Sequence, residues 1–412
     1  MINFTYNFDT IPKRAGTETL KFDARDRFFG HSEVIPMWVA DMDFESPPAV
    51  GEAILRRAAH NLYGYDITGE GCAPALGRWL ARRSGWTIEN DWVRLTTGVV
   101  SGLGFAIRAF TSPGDGIVIQ TPVYAPFRSM TEANDRRVVT NPLRVTGDSY
   151  EMNLEDLDRK LSTPLEGGGR VSAIILCNPH NPVGRVYSES ELRGVGELCV
   201  RHDVTIISDE IHSDLVFTPH RHLHIAALDP RFAERCVTFV APSKTFNIAG
   251  LATSAAIISS TAMRDAWDTE YGRSHIPEGT MFGHIALRAA YDHGEAWLEE
   301  LLHYLRGNVE YIRTFLAEQL PSVRCVQQEG TYLMWLDFRE LMSGTESGSG
   351  FTSHTELMEW LVHEAGLGLS SGADFGREGI GFARMNIATN RTTIQKALTQ
   401  LTKAINSIKK LF

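Results

Sequence analysis

The feature that most constrains the fold is an alternation of short apolar runs with helical patterns between about residues 91 and 260. Parallel strands need a crossover connection, which is usually a helix, so this order predicts a mainly parallel sheet between helices. Five of the runs have the length and composition of buried strands. These predicted strands lie at residues 116–120, 171–177, 204–208, 237–240 and 252–259. We therefore expect an α/β fold.

A second structural unit is predicted after about residue 280, where long amphipathic helices precede the strand-like segment TYLMWLDF. Ser188 and Glu191 have the spacing of a capping box, which predicts a helix through about Arg201. The Gly- and Ser-rich stretch 343–350 is typical of a surface loop. The expected division is an N-terminal segment that joins the small domain, a large domain and a smaller α+β C-terminal domain, at residues 1–45, 46–285 and 286–412.

Charge and composition exclude several classes of protein. The net charge of −10 and the absence of a basic tract argue against a sequence-independent grip on nucleic acid. The five cysteines are scattered, without the paired spacing of a zinc site or a disulfide framework, so no metal is predicted. The N-terminus does not resemble a secretory signal, and no stretch reaches the roughly 18 apolar residues that span a bilayer. We expect a cytoplasmic protein without a membrane partner.

Two charged side chains follow predicted strands, where α/β folds place their ligand sites. Lys244 comes just after the strand-like VTFVAP, and Asp209 comes directly after VTIIS. A lone lysine here is more often a solvated side chain, and a lone aspartate can simply cap a helix. Together they fit pyridoxal 5′-phosphate (PLP), which needs a carboxylate against its pyridine nitrogen to act as an electron sink.

Other segments of the sequence carry residue types that would suit PLP and an amino-acid substrate. Asn181 lies in the stiff NPHNPVG loop and offers an amide donor, although a tight turn alone would explain the loop. Tyr124 follows another strand and has a ring able to cover a pyridine face, with core packing as the alternative. Arg384, in an apolar run, suits bidentate capture of a carboxylate or a structural ion pair.

An anion site is predicted where the segment TTGVVSGLG opens a helix after a short strand. The backbone N–H groups of Gly98, Val99 and Val100 would face a phosphate at this helix start. The glycine spacing matches neither a Walker nor a Rossmann fingerprint, so the motif alone is not specific.

These residues together resemble the fold-type I PLP enzymes, the superfamily of class I and II aminotransferases, in order over nearly the whole chain. Several segments look like the cystathionine β-lyase (cysteine-S-conjugate β-lyase) branch: MWVADMDF, TTGVVSG, NPHNPVG, DEIHSDL, APSKTFNIAGL and GTYLMWLDFR. The resemblance implies an aspartate-aminotransferase-like fold. It also implies that the active sites are shared in a homodimer.

The resemblance assigns roles by motif. It implies Lys244 as the Schiff-base lysine and catalytic residue, Asp209 as the pyridine-nitrogen partner, Asn181 as the O3′ donor, Tyr124 as the stacking aromatic and Arg384 as the carboxylate clamp. Asn181 and Tyr124 would also border the substrate.

Further assignments concern the edges of the site and two departures from the superfamily pattern. The backbone around Ala40 and the neighbouring Trp38 would border the substrate. In the segment Tyr-Gly-Tyr at residues 63–65, Tyr65 is the better candidate for the tyrosine that reaches the phosphate in the neighbouring subunit. Many members carry serine three residues before the lysine, where this chain has Ala241, so Ser243 is expected to substitute. His212 stands where many transaminases have tyrosine.

The expected activity is carbon–sulfur β-elimination from cystathionine or a cysteine S-conjugate, giving thiol, pyruvate and ammonia. An aminotransferase of a small amino acid would use the same residues, but it would depend strictly on a keto-acid acceptor. A PLP-binding regulatory protein is a further alternative, which undetectable turnover at full cofactor occupancy would favour.

Overall fold

The structure is a computed structural model that describes residues 5–342 and 350–408. The strands β1 to β15 follow in chain order: Ile35–Pro36, Val93–Thr96, Gly116–Ile119, Arg137–Thr140, Arg144–Thr146, Ser149–Glu151, Val171–Cys177, Thr205–Asp209, Cys236–Val240, Ser254–Ile257, Arg324–Cys325, Leu333–Asp337, Leu367–Gly368, Ser370–Ser371 and Phe382–Asn386. The predicted loop at residues 343–350 lies outside the described residues, apart from its last position.

The helices pack around the sheets that these strands form. In chain order α1 to α16 are Leu20–Asp23, Arg25–Phe29, Pro48–Ala59, Cys72–Arg83, Val99–Phe110, Pro126–Ala133, Leu154–Ser162, Glu189–His202, Ile225–Leu228, Pro230–Ala233, Pro242–Thr245, Thr261–Ser274, Met281–His293, Glu295–Gln319, His354–His363 and Arg391–Ile408. Within the described residues, none of these helices has both the length and the apolarity needed to cross a membrane.

The larger sheet has seven strands in the order β2-β10-β9-β8-β7-β3-β4. Strands β9, β8, β7, β3 and β4 are parallel, and β10 runs antiparallel to both of its neighbours. The five predicted strands are all confirmed, with ends that differ by at most two residues. Every residue of β7 is buried, because helices cover both faces of the sheet. The predicted α/β class is therefore confirmed.

A second, four-stranded antiparallel sheet has the order β11-β12-β15-β14. Strand β1 pairs in parallel with β13, so the chain before the larger sheet contacts a segment that follows the long helix α14. This pairing brings residues 37–41 alongside β15, where Asn386 donates its backbone N–H to the carbonyl of Met37 at 2.8 Å.

Local signals in the sequence fix the helix that follows β7. Ser188 accepts a hydrogen bond from the backbone N–H of Glu191, and the Glu191 carboxylate accepts one from the Ser188 N–H at 2.9 Å. This confirms the predicted capping box, and α8 ends one residue beyond the expected Arg201. The box starts α8 four residues after the 178–184 loop and so limits how far that loop extends.

Candidate active site

A cavity of about 290 Å³ opens at the carboxyl ends of the parallel strands. Ten residues singled out from the sequence line it: Ala40, Gly98, Val99, Val100, Tyr124, Asn181, Asp209, His212, Ser243 and Lys244. They come from six separate stretches of sequence. Their convergence follows from the topology, because parallel strands end at one edge of the sheet.

Lys244 lies on the short helix α11, directly beyond strand β9. Its Nζ donates a hydrogen bond to the backbone carbonyl of Ala40 at 2.7 Å. Burial, assisted by the nearby Arg384 guanidinium and opposed by the carboxylates of Asp41 and Asp209, lowers the pKa of Lys244 to about 8. A substantial fraction of this amine is therefore neutral, and nucleophilic, near physiological pH.

Asp209 is the last residue of β8, and its Oδ1 accepts the backbone N–H of Ile211 at 3.1 Å. Burial, assisted by the adjacent Glu210 and opposed by the Ile211 N–H and by Lys244, raises the pKa of Asp209 to about 7. The fold thus disfavours an unpaired anion here. A cationic ring nitrogen placed against this carboxylate would supply the missing partner.

Arg384, on β15, is held by several acceptors in a buried position. Nη1 donates to Asn181 Oδ1 at 2.9 Å, and Nη2 donates to the Trp38 carbonyl at 2.9 Å and to Ser370 Oγ at 3.1 Å. The guanidinium lies 4.9 Å from the centre of the Phe375 ring. Its Nε is buried and has no hydrogen-bond partner among the described residues, so not every donor of this guanidinium is satisfied within the described structure.

The same contact fixes the orientation of the Asn181 amide. Arginine only donates hydrogen bonds, so the Asn181 oxygen must face Arg384 and the amide nitrogen must point the other way. Asn181 lines the cavity, and its nitrogen is the donor available there. An anionic oxygen on a bound ring would be the matching acceptor.

The phosphate site predicted from the sequence lies at the start of α5. Gly98 caps this helix with φ +148°, a conformation that residues with a side chain rarely adopt, and Gly98, Val99 and Val100 all line the cavity. The hydroxyls of Thr97 and Ser101 lie 3.3 Å apart at the same wall. A helix start with free N–H groups and hydroxyls has the donor chemistry of a phosphate site.

Two further side chains on the cavity wall stay uncharged. Burial, with the nearby cations of Lys244 and Arg384, lowers the pKa of His212 to about 3. Its Nδ1 is buried and without a hydrogen-bond partner among the described residues. Burial raises the pKa of Tyr124, and the charge of Asp209 raises it further, so the phenol keeps its proton.

Trp38, Tyr65 and Arg384 do not line the cavity, and Arg384 reaches its wall through the hydrogen bond to Asn181. The Trp38 indole donates to the Lys21 carbonyl at 3.2 Å and packs on Phe28 at 4.5 Å, so only its backbone carbonyl meets Arg384. Tyr65 is fully exposed and lies along a separate groove. A role for Tyr65 in a neighbouring subunit stays a prediction.

The hydrogen bond between Lys244 and the backbone carbonyl of Ala40 was not predicted from the sequence. Tyr332 donates its hydroxyl to this carbonyl at 3.0 Å, alongside Lys244. Asn386 holds the flanking backbone by donating to the carbonyls of Val39 and Asp41. Asn386 lies two residues after Arg384 on one strand and so shares its face, which is a signal that would have pointed to it.

Comparison with known proteins identifies the family. The aminotransferase class I and II family matches residues 32–401. The chain belongs to this family. A relative from Bacillus subtilis (strain 168), cystathionine β-lyase PatB, is 40% identical over 400 residues, which cover 97% of this chain and all of the relative. Protein MalY of Escherichia coli (strain K12) is 29% identical over 98% of this chain and all of its own length.

Solved structures of family members have the same fold as this chain. Cystalysin from Treponema denticola, which contains a PLP cofactor, superposes with a TM-score of 0.91 at 31% identity, over 98% of this chain and 100% of cystalysin. A PLP-bound C–S lyase from Staphylococcus hominis gives a TM-score of 0.88 at 32% identity, over 97% of this chain and 98% of that one. The expected aspartate-aminotransferase-like fold is confirmed.

Proposed function

We propose that this chain is a PLP-dependent carbon–sulfur β-lyase that acts on cystathionine or cysteine S-conjugates and gives a thiol, pyruvate and ammonia. The proposal rests above all on one observation: the Lys244 amine and the buried Asp209 carboxylate line the same cavity. The similarity to cystathionine β-lyases over the full chain, and to PLP-bound C–S lyases in fold, supports it.

The cavity residues fit PLP by their donor chemistry. Lys244 would hold the cofactor covalently, Asp209 would hold a proton at its ring nitrogen, and Asn181 would donate to its phenolic oxygen. Tyr124 would cover the ring, with His212 as a neutral neighbour. The start of α5, with Ser243 nearby, would bind the phosphate.

When bound, PLP supplies an electron-withdrawing ring that makes the substrate's Cα proton acidic. The Lys244 amine, released when the substrate's amine takes its place on the cofactor, would accept that proton as a general base, a role that its lowered pKa favours. Arg384 binds the substrate's α-carboxylate through its fork, and the carbonyl of Ala40 holds the lysine amine in place. These residues orient the Cα–H bond, and a thiolate then leaves from the β-carbon.

We also propose a homodimer with shared active sites, in which Tyr65 of the partner subunit reaches the phosphate. Large apolar side chains are exposed along one stretch of this chain, and such a patch supports an interface: Leu55, Leu62, Tyr63, Tyr65 and Ile67. The proposed domains are residues 46–285 around the larger sheet and 286–412 around the smaller one, with 1–45 joining the latter. The proposed location is the cytoplasm.

Two measurements test the function. The purified protein should show a visible absorbance band from bound PLP, and Lys244→Ala should abolish it. Lys160→Ala is the matched control, because the Lys160 amine bonds to the carbonyl of Thr140, away from the cavity. Incubation with cystathionine should release pyruvate without a keto acid. Turnover that releases no pyruvate and requires a keto-acid acceptor would refute the lyase activity and favour an aminotransferase. A purified protein without a visible absorbance band would refute the use of PLP.

A further inference from the structure

A buried cluster of three ionisable side chains lies directly behind Asp209. The cluster consists of Glu210, His222 and His224, each at most 6% exposed. The Glu210 Oε2 atom contacts His222 Nε2 at 2.9 Å and also contacts His224 Nδ1. Since successive residues of an extended chain point in opposite directions, Asp209 faces the cavity while Glu210 faces this cluster.

The outer atoms of the cluster are also bonded. Ser208 Oγ donates to Glu210 Oε1 at 2.7 Å, and Ser84 Oγ lies 3.0 Å from His224 Nε2. All four imidazole nitrogens thus have partners, the fourth being His222 Nδ1 at 3.4 Å from the Asn178 amide. A metal ion would have to displace two of these contacts, so the geometry favours a hydrogen-bonded cluster over a metal site.

The cluster joins two strand ends that carry cavity residues. Asn178 begins the loop that presents Asn181, and its side-chain amide contacts His222 and donates to the carbonyl of Leu223 at 3.4 Å. The backbone N–H of Asn178 donates to the carbonyl of Asp209 at 3.0 Å. On the other side, Glu210 donates its N–H to β9, which leads to Lys244.

We propose that Glu210, His222 and His224 act as positioning residues that hold the strand ends bearing Asp209 and Asn181 at the spacing the cofactor ring requires. The inference rests on the proposed use of PLP. None of the three lines the cavity, so any effect on the cofactor acts through their neighbours.

The buried carboxylate of Glu210 explains why the geometry of the cluster is stiff. Burial alone would raise the pKa of Glu210, but the two histidines together lower it to about 2, so the carboxylate stays ionised. A buried carboxylate that loses one of its donors must move toward another partner or take up a proton. Either response displaces the segment next to Asp209.

Equilibrium binding of PLP to the cofactor-free full-length protein tests the proposal. His222→Leu removes the donor to Glu210 and the contact with Asn178, and it should weaken PLP binding by about tenfold or more. His222→Gln, which keeps an N–H for the carboxylate, should stay within about threefold of wild type. His224→Leu serves as a second variant should His222→Leu not fold.

A control separates positioning from general loss of stability. Leu192→Ala removes a buried side chain from α8 that neither lines the cavity nor belongs to the cluster, and it should lower Tm by at least as much without weakening PLP binding. The proposal would be overturned if His222→Leu and His224→Leu both bound PLP as tightly as wild type. It would also be overturned if they lost no more PLP affinity than Leu192→Ala at the same Tm. If wild type takes up no PLP, the proposed function fails instead.

Discussion

Replacing Asp209 by asparagine is expected to stabilise the cofactor-free protein at pH 8 while weakening its binding of PLP. Burial, reinforced by Glu210, raises the pKa of Asp209 from 3.8 to about 7. This rise of roughly 3 pKa units corresponds to about 4 kcal/mol, at about 1.36 kcal/mol per unit. Asparagine has a similar shape and no charge to bury, so the variant avoids that cost.

The pH dependence has a definite sign. An acid whose pKa is higher in the folded than in the unfolded state makes the folded state bind more protons between about pH 4 and 7. The free energy of unfolding of the wild type therefore decreases as pH rises through this window. Asparagine at position 209 does not titrate, so the variant lacks this decrease. The advantage of the variant should reach its full size above pH 7 and be about half as large near pH 5.5.

Urea unfolding of the cofactor-free proteins at pH 5.5 and pH 8 measures the difference in the free energy of unfolding. Asp158→Asn is the control, because Asp158 is partly exposed and its contact with His202 lowers its pKa, so this variant should not gain stability. With saturating PLP the order should reverse, since wild type binds the cofactor more tightly. An Asp209→Asn protein that is less stable at pH 8, or a gain that does not change with pH, would refute the reasoning.

Three further predictions follow from the site. The rate at which cofactor-free protein captures PLP should rise with pH and be half-maximal near pH 8, as Lys244 loses its proton. Arg384→Gln should move this profile to higher pH, and stopped-flow absorbance measures both. Ser370→Ala removes one bond that orients Arg384 but keeps the one to the backbone, so steady-state kinetics should show KM raised several-fold with kcat little changed. Gly98→Ala should cost about 1–3 kcal/mol in urea unfolding and weaken PLP binding, because φ is +148° there; an unchanged stability would contradict the proposed backbone requirement.

Much of the larger sheet could be predicted because its signals are local. A run such as 171–177, apolar except for Ser172, indicates a strand covered on both faces, and the capping box of Ser188 and Glu191 marks its own helix start. The direction of β10 could not be predicted, since pairing with β2 and β9 depends on contacts distant in sequence. Strand β4, half-buried at the sheet edge, has no strong apolar pattern and was missed.

The candidate site divides in the same way. Lys244, Asp209 and Asn181 could be singled out because each follows its own strand in a recognisable motif. Ser370 could not, because it meets Arg384 only through the pairing of β14 with β15. The cluster behind Asp209 was also missed, since His222 and His224 are brought to Glu210 by a loop whose path the sequence does not reveal.

The site brings together, in the cavity and directly behind its wall, several groups whose charged forms the fold disfavours. Burial lowers the pKa of Lys244 to about 8 and that of Arg384 to about 10, and it raises that of Asp209 to about 7. Each departure is a cost that falls on the cofactor-free protein. An aldehyde, a basic ring nitrogen and a carboxylate are the complementary groups, and PLP with an amino acid carries all three. The same perturbations that lower the stability of the cofactor-free protein therefore provide binding energy for cofactor and substrate. Removing the Asp209 charge should for this reason raise that stability and lower the affinity for PLP.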